Sequence, residues 1–222
     1  CSKNSVRNKM ERIIILGGGG HAKSVIDTVL ATGTYEIAAG LDPALKKGSK
    51  LMNIPVAGAD DELARFWRLG IKNCAIGVGS VGDTGVRGRL YLKAKRAGFK
   101  FPVLSHPRAF VSEYALLGEG TFVAAQAAVN PGVRTGVCCI VNTGAVVEHD
   151  CRLGDFTHVS TNAALCGGVI TGAGVHIGAG ATVIEGRKIG KAALVGAGSL
   201  VARDIGPGWL CYGVPARRQG KK

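Results

Sequence analysis

Val147-Glu148-His149-Asp150 sets an imidazole directly beside a carboxylate. A carboxylate in that position can orient the ring and stabilise its protonated form, which suits a general base. Such a base takes a proton from an attacking amine or hydroxyl as the new bond forms, typically worth about 10²–10⁴-fold. A second arrangement is Gly17-x-Gly19-x-x-Ala22, which includes Gly20 and His21. It follows an apolar run and opens a helical pattern, so its main-chain N–H groups can hold a phosphate or a base edge. Asp42 ends the next apolar run, where an acidic residue can accept from a ribose or base. Gly79 ends a third run, and an ordinary strand-end turn would also explain it. His106, His149, His158 and His176 do not form a convincing ligand set, so no metal is expected.

The elements that must position these groups fall into two halves. Residues 11–104 alternate strand and helix patterns. Arg12-Ile-Ile-Ile-Leu16 stops at Gly17 as a buried parallel strand would. His21 to Thr32 has helical apolar spacing at Val25, Ile26, Val29 and Leu30. Glu36 to Leu41 predicts a second strand, and Asp60 to Leu69 a helix with an acidic first turn. Asn73 to Val78 predicts a third strand, followed by a basic helix over Thr84 to Ala97. This β-α order predicts a small doubly wound, Rossmann-like sheet. By itself it also suits an NAD-linked enzyme, but 11–104 has room for only half of a dinucleotide fold.

Over 105–206 the pattern changes. Aliphatic residues recur at every sixth position, from Val111, Leu117, Val123 and Val129 through Val147, Leu153 and Val159 to Val195 and Val201. Thr135 and Thr171 interrupt the series without shifting its phase. A helix needs a period near 3.6 and an open strand a period of 2. A period of six fits a solenoid with three short sides per turn, whose aliphatic residues stack from coil to coil. Small residues four positions later, such as Ala127, Ala145 and Ala163, suit the crowded corners. Gly often follows the aliphatic residue, as at Gly118, Gly154 and Gly178, where it would permit tight bends. His149 occupies an outward position of its repeat, so it is a surface imidazole and not a core one.

The 222 residues are 46% hydrophobic and 19% charged, which describes a globular chain. Gly numbers 35 and aromatics only 5%, as a narrow aliphatic coil requires. The net charge of +13 points to anionic partners, including phosphorylated small molecules. Nothing resembles a nucleic-acid module, and aromatics for base stacking are scarce. No apolar run approaches the roughly 18 residues of a membrane span. Seven Cys without CxxC spacing read as reduced, mostly buried residues in a cytoplasmic protein. Residues 1–10 are polar and patternless, as a linker or remnant would be.

With Gly17-Gly-Gly-Gly-His21 upstream and Val147-Glu-His149-Asp150 in the repeats, the chain resembles the hexapeptide-repeat sugar acetyltransferases of the sialic-acid O-acetyltransferase group. It is most similar to bacterial N-acetyltransferases of UDP-4-amino-sugars in bacillosamine-type glycosylation. The resemblance implies a left-handed parallel β-helix, acetyl-CoA as co-substrate and a homotrimer with active sites between adjacent coils. It implies a base at His149 supported by Asp150, although close relatives often have Glu there. It maps Gly19, Gly20, His21, Asp42 and Gly79 to the nucleotide-sugar site, and Asn142 to the neighbourhood of the sugar. Acetyl-CoA contacts map to His158 and to the main chain at Ala179 and Ala197. Pro43 stands where some relatives have a second acidic residue, which leaves the base of the nucleotide open. Residues 207–222 contain Gly213-Val-Pro-Ala, which lies near the CoA arm in such proteins, so Arg217 and Arg218 are candidates for its phosphates. A fusion to a membrane glycosyl-phosphate transferase is also expected from some relatives. Three alternatives stay open: sugar O-acetylation, N-acetylation of a GDP-4-amino-sugar, and a non-catalytic nucleotide-binding coil.

Overall fold

The computed structural model describes residues 10–221. Cys1, Lys3, Arg7, Lys9 and Lys222, and with them nearly all of the expected 1–10 tail, lie outside the described residues.

The N-terminal half is a three-layer α/β unit. Its strands are β1 (Glu11–Leu16), β2 (Tyr35–Leu41), β3 (Lys50–Leu51), β4 (Ile54–Gly58) and β5 (Asn73–Ile76). The spatial order is β3-β4-β2-β1-β5, with only β3 antiparallel to its neighbour. The β3–β4 hairpin has no counterpart in the sequence reading, because Ile54-Pro-Val-Ala-Gly58 is short and carries a proline. Proline is tolerated because the pairing of β4 with β2 begins only at Val56, so no ladder bond is lost at Pro55. Met52 and Asn53, both at positive φ, turn the chain back between the two strands. Helices α1 (Gly20–Thr32) and α3 (Gly85–Arg96) match their expected spans closely. The expected helix at 60–69 is instead a 3₁₀ turn at Asp60–Glu62 leading into α2 (Leu63–Arg68).

Two-residue strands then wind through a three-sided parallel β-helix. The first face runs through Leu104, Phe122, Ile140, His158, His176 and Leu194. The second runs through Phe110, Ala128, Val146, Ala164, Thr182 and Leu200. The third runs through Arg134, Arg152, Ile170 and Lys188. Strands pair one full coil apart, as Ile140 with His158 and Val146 with Ala164. The residue after each of these points inward. Val123, Val141, Val159, Ile177 and Val195 are fully buried on one another, as are Val129, Val147, Leu165 and Val183. Each such side chain contributes roughly 1.5–3 kcal/mol by leaving water.

The threonine interruptions are internal polar pairs. Thr121 and Thr135 hydroxyls lie 3.1 Å apart, and Thr157 and Thr171 hydroxyls 3.0 Å apart. Each pair also hydrogen-bonds main chain, so no hydroxyl is buried without a partner. Gly154 serves close approach and not a bend: a Cβ there would lie 2.5 Å from the Ala173 nitrogen. The left-handed bends fall elsewhere, including at Asp150, where φ is +62°.

The α/β unit docks on the first face through α1. Val25 and Ile26 share a cluster with Leu104, Phe122 and Ile140. At the upper end, residues 207–222 are not a loose tail: Trp209–Gly213 extends the first face and Ala216–Lys221 folds back on it. No described helix is long and apolar enough to cross a membrane.

Candidate functional site

A cavity of about 500 Å³ opens between the α/β unit and the coil. The N-terminus of α1 supplies Gly20, His21 and Ser24, and the loop after β5 supplies Gly79, Ser80 and Val81. The coil supplies Asn142, Thr143, His158 and Thr161. Four sequence-expected residues, Gly20, His21, Gly79 and Asn142, therefore meet here with His158, which the resemblance assigned to acetyl-CoA. Ser24, Ser80, Val81, Thr143 and Thr161 were not anticipated. A one-coil step from Thr143 leads to Thr161, so that pair was available in the sequence.

Two imidazoles face this space in neutral form. Burial lowers the His21 pKa to about 3, with Arg87 and His158 adding to the shift. Burial also lowers His158 to about 4, with His176 and Arg87 adding, against a hydrogen bond to Ser80 that raises it. His21 meets the Phe122 ring edge-on, with centroids 5.2 Å apart. His158 is in a strand of the first face.

Gly19 is the residue before α1 and lies just outside the cavity lining. Asp42 sits beneath the glycine loop. Its Oδ2 accepts from the Gly18 N–H at 2.6 Å and its Oδ1 from the Ala44 N–H at 2.7 Å. Both oxygens thus hold local main chain, a role that the expected ribose or base contact did not include.

Ala179 and Ala197 lie at the corner between the first and second faces. They are stacked above Ala125, Thr143 and Thr161 by hydrogen bonds one coil apart, such as Gly180 N–H to Thr161 O at 2.9 Å. This column leads upward from the cavity. At the top, the Arg218 guanidinium lies over the Trp209 ring, 4.3 Å from its centroid. That stacking gives Arg218 a structural contact besides the expected phosphate role.

His149 and Asp150 stand at the next corner, between the second and third faces, and do not line the cavity. Both side chains are exposed, at 65% and 73%. His149 Nδ1 lies 2.9 Å from Asp150 Oδ2. If Nδ1 carries the proton toward that carboxylate, Nε2 of the neutral ring is a free base. The ring rests over Gly167, one coil above, where a Cβ would fall 2.6 Å from Cε1 and Nε2. Gly167→Ala is expected to fold normally, since the exposed ring can swing away. Displacing the ring by about 1 Å should lower turnover by about 10²-fold, read as kcat beside an unchanged melting curve.

The described residues hold no cluster of His, Cys, Asp or Glu that could bind a metal. Cys74, Cys138, Cys139, Cys151, Cys166 and Cys211 are all free thiols, and only Cys166 is more than marginally exposed.

Residues 12–94 match the family described as PglD N-terminal domain. The UDP-N-acetylbacillosamine N-acetyltransferase of Bacillus subtilis (strain 168) is 38% identical over 121 residues. That match spans about half of each protein, 52% of this chain and 52% of the relative. A histidine-to-alanine variant of GDP-perosamine N-acetyl transferase from Caulobacter crescentus, in complex with CoA and GDP-perosamine, has 39% identity and a TM-score of 0.90. The alignment covers 96% of this chain and 99% of that one. The acetyltransferase domain of PglB from Neisseria gonorrhoeae FA1090, in complex with acetyl coenzyme A, has 35% identity and a TM-score of 0.87. That alignment covers 95% of this chain and 100% of the domain.

Proposed function

This chain belongs to the hexapeptide-repeat family of nucleotide-amino-sugar N-acetyltransferases, and on that premise we propose that it moves the acetyl group of acetyl-CoA to the 4-amino group of a UDP-linked amino-dideoxy sugar. In this reading the sugar nucleotide lies in the cavity at Gly20, His21, Gly79 and Asn142, with Gly19 and Asp42 shaping its glycine loop. The acyl donor follows the column of Thr161, Ala179 and Ala197 beside His158. His149 Nε2 takes a proton from the amine, whose nitrogen attacks the thioester carbonyl. The tetrahedral intermediate collapses and expels the thiolate of CoA.

The observation that carries the reading is the exposed His149–Asp150 pair, 2.9 Å apart, at the edge of an apolar face. The outward residues of the second face are Phe110, Ala128, Val146, Ala164, Thr182 and Leu200. The third face instead turns Arg134, Arg152 and Lys188 outward, with Ile170 among them. The first face is also largely apolar but is covered by α1, so the second is an apolar face left open, which favours self-association. Three copies packed with their second faces toward a common axis would set the His149 corner of one copy against the Thr143–Thr161 corner of the next. A homotrimer thus unites a base and a cavity that lie on different corners of one chain. This reading sets the reaction in the cytoplasm and allows fusion to a membrane glycosyl-phosphate transferase.

The 39% identity to the GDP-perosamine enzyme over nearly the whole chain favours a second reading, with a GDP-linked 4-amino sugar as acceptor. Incubation with acetyl-CoA and a panel of UDP- and GDP-linked 4-amino sugars, monitored by free-thiol release, tests both. Thiol release with a UDP sugar supports the first reading, and release only with GDP sugars the second. An intact thioester with every 4-amino sugar would reject N-acetylation.

A further inference from the structure

Arg87 is a cation in the interior with no acidic partner among the described residues. It projects from α3 into the seam between the α/β unit and the coil, and is 2% exposed. Its Nη1 donates to Ser80 Oγ at 3.0 Å and to the Phe156 carbonyl at 3.3 Å. Its Nη2 donates to the Cys138 carbonyl. Cys138 and Phe156 occupy successive turns of one corner of the coil, both at positive φ. One planar fork thus ties together α3, two coil turns and the loop that carries Gly79, Ser80 and Val81. A buried guanidinium without a carboxylate is costly, so a group retained there is a candidate for a functional role.

The contacts beyond Ser80 have a fixed direction. His158 Nδ1 lies 2.8 Å from the Ser80 carbonyl oxygen. That oxygen can only accept, so Nδ1 carries the proton. At the other end, Asn142 Oδ1 accepts from the Thr143 N–H at 2.8 Å. The Asn142 amide nitrogen therefore faces His158 Nε2, at 3.3 Å. A donor facing Nε2 requires a lone pair there. Constraints from the two sides agree on one tautomer. The charged and titratable groups around this ring are Arg87, His21 and His176, and the first two reach it through the same seam.

We propose that Arg87 is a positioning residue: it locks the Ser80 loop to the coil and so holds His158 as the Nδ1–H tautomer, whose unprotonated Nε2 exchanges its long 3.3 Å contact with the Asn142 amide for a hydrogen bond from an N–H group of a bound ligand. For the identity of that ligand the inference rests on the proposed acetyl transfer. Two sources share the chemistry, an amide of the acyl donor's arm and the amine of the sugar. In either case Nε2 of His158 cannot donate to a thioester oxygen, so its role differs from that of an oxyanion donor.

Long-range ¹H–¹⁵N spectra of the histidine-labelled protein test the tautomer without turnover, with His158→Gln assigning the signal. The expected result is a protonated Nδ1 and a bare Nε2, and a protonated Nε2 overturns the proposal even if acetyl transfer is confirmed. Arg87→Lys keeps the charge and loses the fork. It should mix the two tautomers and raise KM about tenfold for one substrate, with kcat changing less. A rise for acetyl-CoA identifies the acyl donor as the N–H source, and a rise for the nucleotide sugar identifies the amine. Should Arg87→Lys not fold, Ser80→Ala removes the Arg87–Ser80 contact alone and should move the same signals in the same direction. A folded variant with the wild-type His158 spectrum and wild-type KM values overturns the positioning role.

Discussion

Replacing His149 by Ala is expected to lower kcat by about 10²–10⁴-fold. The melting temperature should not change, because the ring is 65% exposed and packs against little besides Asp150 and Gly167. The shared-site arrangement makes a sharper demand. Ser24 is exposed on α1 and lines the cavity, so Ser24→Trp should fill the pocket and abolish turnover in a folded protein. Co-expressing the His149→Ala and Ser24→Trp chains should restore activity, because an intact cavity on one chain meets an intact base on the next. Random assembly of such trimers gives about one quarter of the wild-type number of sites. Mixed assemblies that stay inactive would place base and cavity within one chain and sink the shared site.

Gly154→Ala should be among the most destabilising small substitutions in the coil. The added methyl carbon would lie 2.5 Å from both the Ala173 nitrogen and the Gly172 carbonyl carbon. These are main-chain atoms of the next coil and cannot rotate away. Relief requires the coils to separate, which strains the Gly154 N–H bond to the Thr171 carbonyl, 2.9 Å in the native chain. Overpacking of this kind costs about 3 kcal/mol. The melting temperature should fall by about 6–12 °C for a chain of this size. The contrast with Gly168 is instructive. Nothing lies within 4 Å of a Cβ there, but φ is +68°. Ala at 168 meets backbone strain alone and should cost about 1–2 kcal/mol. Thermal melts of the two variants separate crowding from torsion.

How much was legible in the sequence follows from what is periodic. The unbroken six-residue phase is enough for three faces and an inward column, and it sets His149 outward. The glycine run after Ile13-Ile-Ile-Leu16 gave the loop at the head of α1. Groups whose role depends on distant partners were not legible. Arg87 reads as one more basic residue of a basic helix, since nothing local reveals that the coil closes over it. Asp42 reads as a ligand acceptor, and only the fold shows its oxygens bound to Gly18 and Ala44. The separation of His149 from Asn142 is a matter of corners. Both belong to one stretch of sequence, yet a face lies between them. The glycines after the aliphatic positions were visible, but their purpose, clearance from the next coil, needed the neighbouring turn.

Because each strand pairs with the one 18 residues further on, the coil can change length only in whole turns. A single inserted residue would rotate every later side chain out of its column, exchanging buried valines for surface lysines. An insertion of one complete turn above Gly186 would leave the base and the cavity where they are and lengthen only the ledge beyond them. The architecture therefore acts as a ruler whose smallest division is one turn, and chains of this kind can lengthen or shorten for a longer or shorter ligand arm without redesigning the chemistry at its foot.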